Sequence, residues 1–167
     1  MGTVRGDGMG TFLSTFVMRV DKKGRVSVPA TFRAVLSKEN AAGVVAFPSP
    51  VMPAVDGRGS ESFAALLQEL RSHSVANLGP DLALLGGGQP SPDQIVAAAA
   101  AELPIDSEGR IVLPESFVAH AGIADQVKFV GRGAFFQIWS PENFAAREAE
   151  DLRLVRERLL AGRGTPA

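Results

Sequence analysis

Cysteine is absent from the 167-residue chain. That excludes a disulfide scaffold, a cysteine nucleophile, an iron–sulfur cluster and any thiolate zinc site. Histidine occurs only at His73 and His120. A metal site would have to rest on carboxylates, and the sequence contains no clustered set of them. No run approaches the ~18 apolar residues of a membrane span. The glycine-rich residues 1–10 have no apolar core and do not read as a signal peptide. The expectation is a cytoplasmic protein with a flexible N-terminal extension over residues 1–11. The formal net charge is only −1, without the basic balance of a protein that coats nucleic acid. Catalytic signatures are missing as well. Gly6-Asp-Gly-Met-Gly10 follows no strand, Gly86-Gly-Gly88 lacks the Lys-Ser/Thr of a phosphate loop, and no Gly-x-Ser-x-Gly elbow occurs. The chain reads as a non-enzyme with no cofactor, no metal, no membrane span and no small-molecule substrate.

What is present is the composition of a folded protein, 46% hydrophobic and 21% charged. A chain of this length buries roughly 70% of its unfolded surface and needs no staple to fold. The charge is unevenly placed. Residues 1–40 carry a net of +4, residues 41–105 a net of −4 and residues 106–167 a net of −1. The positive charge gathers in Arg19, Lys22, Lys23, Arg25, Arg33 and Lys38. Such a cluster is either a solvated face or an end that meets an anionic polymer.

The chain also repeats itself. Val20-Asp-Lys-Lys-Gly-Arg-Val-Ser-Val-Pro-Ala-Thr-Phe32 recurs 85 residues later as Ile105-Asp-Ser-Glu-Gly-Arg-Ile-Val-Leu-Pro-Glu-Ser-Phe117. Asp21/Asp106, Gly24/Gly109, Arg25/Arg110, Pro29/Pro114 and Phe32/Phe117 are identical. The chain reads as two copies of one small module, at residues 12–56 and 98–142, each completing the other. Residues 57–97 are a helix and linker between them, and 143–167 a C-terminal helix and tail.

Each copy reads as strand, turn, strand, helix. Thr11 to Val20 is an apolar strand. Asp-x-x-Gly is a turn in which Asp accepts from nearby backbone and Gly takes a positive φ. Arg25 to Val28 is a short strand that Pro29 ends. Pro then opens a helix over Ala30–Lys38, as Pro114 does over Glu115–Ala121. Gln126–Val130 and Ala134–Trp139 form a hairpin around Gly131-Arg-Gly133. Phe135, Phe136 and Trp139 belong to a core or subunit contact. His120 ends its helix, where it meets the C-terminal dipole. Ser140 caps a C-terminal helix from about Pro141 to Leu160. In the first copy Gly43–Phe47 is a strand, and Pro48, Pro50 and Pro53 are expected to interrupt any return strand. Glu61–His73 is an amphipathic helix with Phe63, Leu66, Leu67 and Leu70 inward. Asn77–Pro92 is the linker, and Asp93–Ala101 is part helix and part entry strand.

At these residues the chain resembles the MraZ family of transcriptional regulators, built from two AbrB-like modules. The resemblance rests on Phe12-Leu-Ser-Thr-Phe16 followed by Val20 to Arg33, and on Asp106-Ser-Glu-Gly-Arg110, Ala121-Gly-Ile123, Val130-Gly-Arg-Gly133 and Phe136-Gln-Ile-Trp139. It covers residues 12–47 and 99–145. It implies a mainly β, α+β fold of tandem AbrB-like swapped-hairpin barrel modules with helices packed outside. It implies a homo-oligomer ring at the nucleoid. It also implies sequence-specific binding to short repeats of double-stranded DNA in the promoter of the cell-division and cell-wall gene cluster. The family's Asp-x-x-x-Arg contact falls on Asp21 and Arg25, and on Asp106 and Arg110.

In that reading Arg25 reaches a guanine edge or a phosphate, Lys22 and Lys23 neutralise phosphates, and Arg33 adds to the basic cluster. Asp21 fixes the turn and orients Arg25. The plainer alternative is that Asp and Arg pair only to shape each turn. It weighs more in the second copy, where Ser107-Glu108 replaces the lysines and Glu108 repels phosphate. Four to six cationic contacts give weak binding alone, and a ring on tandem repeats adds roughly 10² to 10⁴ in avidity. Two rivals remain open. One is an antitoxin-like module that binds a protein partner, the other a ring with a purely structural role.

Overall fold

The protein is described by a computed structural model over residues 10–39, 41, 43–78 and 90–163. It is mainly antiparallel β-sheet with several helices, an α+β fold. The strands are β1 (Thr15–Arg19), β2 (Arg25–Ser27), β3 (Gly43–Pro48), β4 (Ala54–Arg58), β5 (Ala101–Pro104), β6 (Arg110–Val112), β7 (Gln126–Gly131) and β8 (Phe136–Trp139). The helices are α1 (Ala30–Lys38), α2 (Ser60–Leu78), α3 (Pro92–Ala99), α4 (Glu115–Ala121) and α5 (Pro141–Arg163).

Six strands make one sheet in the order β1-β7-β8-β4-β3-β5, and β2 pairs with β6 in a separate ribbon. By the internal repeat, β1 corresponds to β5, β3 to β7 and β4 to β8. The sheet order therefore reads the same from either end. Each copy lends its leading strand to the other: β1 pairs with β7, and β5 pairs with β3, both antiparallel. The ribbon carries the same two-fold. Val26 lies opposite Ile111, its own equivalent. The Val28 amide donates to the Gly109 carbonyl at 2.9 Å, and the equivalent Leu113 amide donates to the Gly24 carbonyl at 2.9 Å.

The core lies between sheet, ribbon and the two proline-led helices. Val26, Val28, Ile111 and Leu113 of the ribbon join Phe129, Phe136 and Ile138 of the sheet in one buried cluster. Phe32 of α1 is fully buried there. Phe12 and Phe16 meet its ring edge-on, with centroids 5.3 and 5.5 Å away. Phe117, its equivalent on α4, is buried in the same cluster. The other face of the sheet holds a smaller cluster of Ala54, Val130, Trp139 and Phe144 under the start of α5. Asp56 is pressed into the seam between β4 and β8. Burial pushes its carboxyl above the usual range, opposed by a 2.9 Å hydrogen bond from Gln137 Nε2. Gln137 Oε1 also accepts from Trp139 Nε1 and Arg132 Nε, and Arg132 reaches Asp151 of α5. This polar chain ties α5 to the sheet.

Several elements differ from the sequence reading. The prolines after Phe47 do not prevent a return strand: β4 pairs with β3 and, centrally, with β8. Pro48 sits at the end of β3 opposite Val55. Pro50 and Pro53 fall in the connection, which Ser49 closes by accepting from the Val51 and Met52 amides. Gly57 fits because it faces Phe136 directly; a Cβ there would lie 2.5 Å from the ring. The first strand is shorter than expected because Ser14 has φ +75° and breaks it. Phe12 still pairs with Gly133 beyond the break. The expected linker from Asn77 to Pro92 has helical flanks, since Asn77 belongs to α2 and Pro92 opens α3. Its residues 79–89 lie outside the described residues, as do 1–9 of the N-terminal extension and 164–167 of the tail. Phe63, Leu66 and Leu67 are half-buried on α2. His120 Nε2 lies 3.0 Å from the Met52 carbonyl, a contact the sequence did not suggest. Phe136 and Trp139 are core residues, and Phe135 is half-buried beneath the Arg58 guanidinium.

Phe32→Ala is expected to cost about 3–5 kcal/mol, because it empties the centre of a five-ring cluster. Urea unfolding of the two proteins reads this directly. A cost below about 1 kcal/mol would show that the ring cluster does not hold the core together.

Candidate nucleic-acid interface

The two Asp-x-x-x-Arg turns are built alike, bond for bond. Asp21 Oδ1 accepts from the Lys23 and Arg25 amides, both at 2.9 Å. Asp106 Oδ1 accepts from the Glu108 and Arg110 amides, both at 2.9 Å. Gly24 and Gly109 each close their turn at φ +79°, a conformation that favours glycine. The second carboxylate oxygen then takes the arginine. Arg25 Nε lies 2.6 Å from Asp21 Oδ2, and Arg110 Nε lies 3.1 Å from Asp106 Oδ2. The hydrogen bond from the backbone of Arg25 is the main reason the Asp21 carboxyl sits below its ordinary value, and the Arg110 backbone does the same for Asp106. Asp and Arg therefore do pair and shape the turn, as the plainer reading expected. The pairing engages Nε and fixes the guanidinium's place on the ribbon.

Pairing does not use up the first arginine. Among the described residues, the terminal nitrogens of Arg25 have no partner, and its side chain keeps 37% exposure. Lys22 and Lys23 stand exposed at the tip of the same turn. The second turn is different. Arg110 Nη2 is held by Glu108 at 2.7 Å. Glu108 thus neutralises the arginine beside it.

Arg33 is not beside the first turn. It starts from α1 of the first copy, donates from Nε to the Val28 carbonyl at 3.2 Å, and lies over Gly109 of the second turn. A Cβ on Gly109 would be 2.9 Å from the Arg33 guanidinium carbon. The first copy therefore supplies a cation to the turn that has none to spare. At the equivalent place near the first turn, the repeat puts Val118.

The ribbon brings the pieces together. Arg25 lies opposite Val112, and Ser27 lies opposite Arg110. Side chains alternate across a strand, so these four share one face, while Val26 and Ile111 point into the core. Ser27 and Val112 are exposed, and the sequence reading missed both. Their signal was available, since period two from Arg25 leads to Ser27 and from Arg110 to Val112. The turns lie at opposite ends of the ribbon, on the order of 13 Å apart at four residues of strand rise. Among the described residues, no three or more His, Asp or Glu side chains are grouped so as to hold a metal ion. None of the described helices is long and apolar enough to cross a membrane.

Comparison with known proteins places the chain in a family. Residues 96–160 match the family model described as "MraZ protein, putative antitoxin-like". A protein of Rickettsia bellii named transcriptional regulator MraZ is 40% identical over 158 residues, 94% of this chain and 99% of its own. Proteins of the same name from Xanthobacter autotrophicus and Azorhizobium caulinodans are each 42% identical over 152 residues, 89% of both chains. The chain belongs to the MraZ family. Within that family assignment, the second Asp-x-x-x-Arg turn falls in the matched segment, and the first is covered by the alignment to the full-length relatives.

The acidity of the two turn carboxyls sets a pH dependence. Each is more acidic folded than unfolded, so its contribution is fully present above the unfolded value of about 3.9 and is lost as pH falls through the lower folded value. Carboxyl-carbon NMR titration is expected to show Asp21 and Asp106 titrating below the ordinary aspartate value. Loss of the Lys23 and Arg25 amide shifts should follow the same curve as Asp21. Titration at the ordinary value would mean that the turn bonds do not persist in solution.

Proposed function

We propose that the chain is a DNA-binding transcriptional regulator that reads double-stranded DNA with the β2–β6 ribbon. The observation that carries this is the placement of Arg25, whose terminal nitrogens have no partner among the described residues, on one exposed face of a two-stranded ribbon, with Lys22 and Lys23 at one end. A two-stranded ribbon fits the major groove. Arg25, oriented through Nε by Asp21, offers its terminal nitrogens to a guanine edge or a phosphate. Lys22 and Lys23 take phosphates. Ser27 is placed for a base or backbone hydrogen bond, and Val112 for a thymine methyl. The names of the relatives support regulation of transcription.

The finer parts of this reading belong to the family resemblance. They are AbrB-type swapped hairpins, a ring of subunits at the nucleoid, and a target of short repeats in the promoter of the cell-division and cell-wall gene cluster. The exchange of β1 and β5 between the copies supports the first. The ring would explain tight binding by a chain of net charge −1, because later contacts along tandem repeats become intramolecular. The two turns would then differ in role, the first contacting DNA and the second, with Arg110 neutralised, holding the ribbon. A protein partner is the second reading, favoured by the antitoxin-like description of the family and by the acidic second turn.

Binding to a labelled fragment from upstream of the protein's own gene tests this, with unrelated DNA as competitor and salt varied. Binding that survives competitor is expected, and binding abolished by it would favour the protein partner. Arg25→Ala should weaken specific binding about 5- to 150-fold, the loss of one good base contact. Removing Lys22 and Lys23 together should lower the salt slope by about 1.8 without changing sequence preference. Glu108→Lys should strengthen binding, because it frees Arg110 and adds a cation. Should Arg25→Ala bind DNA as well as the wild type, the ribbon is not the reading surface.

A further inference from the structure

The copies diverge where their last helices meet the sheet. Helix α2 follows β4, and α5 follows the equivalent β8. Each helix starts alike: the Phe63 amide donates to the Gly59 carbonyl, and the Phe144 amide to the Ser140 carbonyl. Counted from these bonds, Leu66 and Leu70 of α2 correspond to Arg147 and Asp151 of α5. The residue after β3 is Ser49, and the residue after the equally long β7 is Arg132. In the first copy Leu66 and Leu70 line an apolar groove with Ile95 and Val96 of α3. In the second copy the same place is a charged cleft of about 390 Å³ between α5 and the sheet. Small-molecule sites span roughly 300–1,000 Å³.

Three arginines surround the cleft. Arg132 comes from the β7–β8 connection, and Arg147 and Arg158 come from α5. Arg147, Asp151, Leu154 and Arg158 are spaced i, i+4, i+7, i+11, so one face of the helix carries them all. A helix face turned to the body of a protein is ordinarily apolar. Here its single carboxylate is shared. Asp151 Oδ1 lies 2.8 Å from Arg147 Nε, and Asp151 Oδ2 lies 3.4 Å from Arg132 Nη2. Both arginines keep 31% exposure and can still be reached from solvent. Arg158 is exposed and, among the described residues, forms no ion pair. The cleft therefore sets three guanidinium groups against one carboxylate, a surplus of two positive charges. Gln137 is engaged by Asp56, Trp139 and Arg132 and adds no charge. Met52, Leu154 and Val155 make the apolar part of the wall.

We propose that this cleft binds a small phosphate monoester. A monoester dianion matches the surplus of two charges, and the planar guanidinium fork matches phosphate oxygens in pairs. The organic part of the ligand would lie against Met52, Leu154 and Val155. Bound there, the phosphate would join Arg147 and Arg158 of α5 to Arg132 of the sheet and reinforce the link that Asp151 makes. The DNA backbone is a poorer fit. Each of its phosphates carries a single charge. The cleft also lies on the face of the sheet that holds Trp139 and Phe144, with the sheet and the main core between it and the β2–β6 ribbon.

Isothermal titration calorimetry of the full chain tests this with phenyl phosphate at pH 8, where a monoester is a dianion. Inorganic phosphate and a short DNA duplex are the comparison probes. Phenyl phosphate is expected to bind at one site per chain, and inorganic phosphate several-fold more weakly for want of the apolar contact. Arg158→Gln should weaken phenyl phosphate about tenfold or more, the loss of one charged hydrogen-bond donor. Arg158 is exposed, so circular dichroism should report the variant folded. Arg153→Gln is the control, because Arg153 lies on the same helix outside the cleft, held by Glu150 and Glu157. It should leave the affinity unchanged. Four results would overturn the proposal. Absence of binding at millimolar phenyl phosphate removes the site. Equal losses in Arg153→Gln and Arg158→Gln show attraction to general positive charge and not to the cleft. Inorganic phosphate bound as tightly as the ester shows an adventitious ion only. A duplex that displaces phenyl phosphate from the wild type places DNA in the cleft instead. None of these substitutions touches the ribbon, so its reading of DNA is judged separately.

Discussion

The two hydrogen bonds from Val28 to Gly109 and from Leu113 to Gly24 hold the rest of the site in place. Each strand of the ribbon is only three residues long, and an isolated two-stranded ribbon is marginal in water. It persists here because each turn's glycine carbonyl is taken by the other copy's strand, and because Val26 and Ile111 anchor it in the aromatic core. Neither turn can form its ribbon edge alone. The placement of Arg25 and Arg110 on one face is therefore a property of the pair, and either copy in isolation would lack it.

Short-range chemistry was legible in the sequence. The repeat, the Asp-x-x-Gly turns and the proline-opened helices all depend on contacts within a few residues, and the structure has each of them. The helix after Ser140 was readable for the same reason, since Ser140 Oγ accepts from the Asn143 amide. Strand β4 was not legible. Its sequence, Ala-Val-Asp-Gly-Arg, has little β-propensity and stands among prolines, and it is a strand because Phe136 and Trp139 of β8 lie alongside it. The interleaving of the copies was equally out of reach in detail, because the pairing of β1 with β7 spans more than a hundred residues and leaves no local mark.

The candidate site was half legible. Asp21, Lys22, Lys23 and Arg25 do come together, and Asp106 and Arg110 form the matching turn. The grip of Glu108 on Arg110 was hidden, because charge along the chain shows signs and not geometry. The crossing of Arg33 to Gly109 was hidden because it joins the two copies. Ser27 and Val112 were overlooked although strand alternation pointed to them.

The fusion of the copies into one chain has a consequence for how the surface can vary. In a homodimer of a single module, every substitution would appear on both turns at once. Rewiring one turn with a glutamate would then silence the other. With both modules in one polypeptide, each turn is free to change by itself while the shared scaffold keeps its symmetry. The contrast between Lys22-Lys23 in one turn and Ser107-Glu108 in the other is a divergence that a homodimer of one module could not hold.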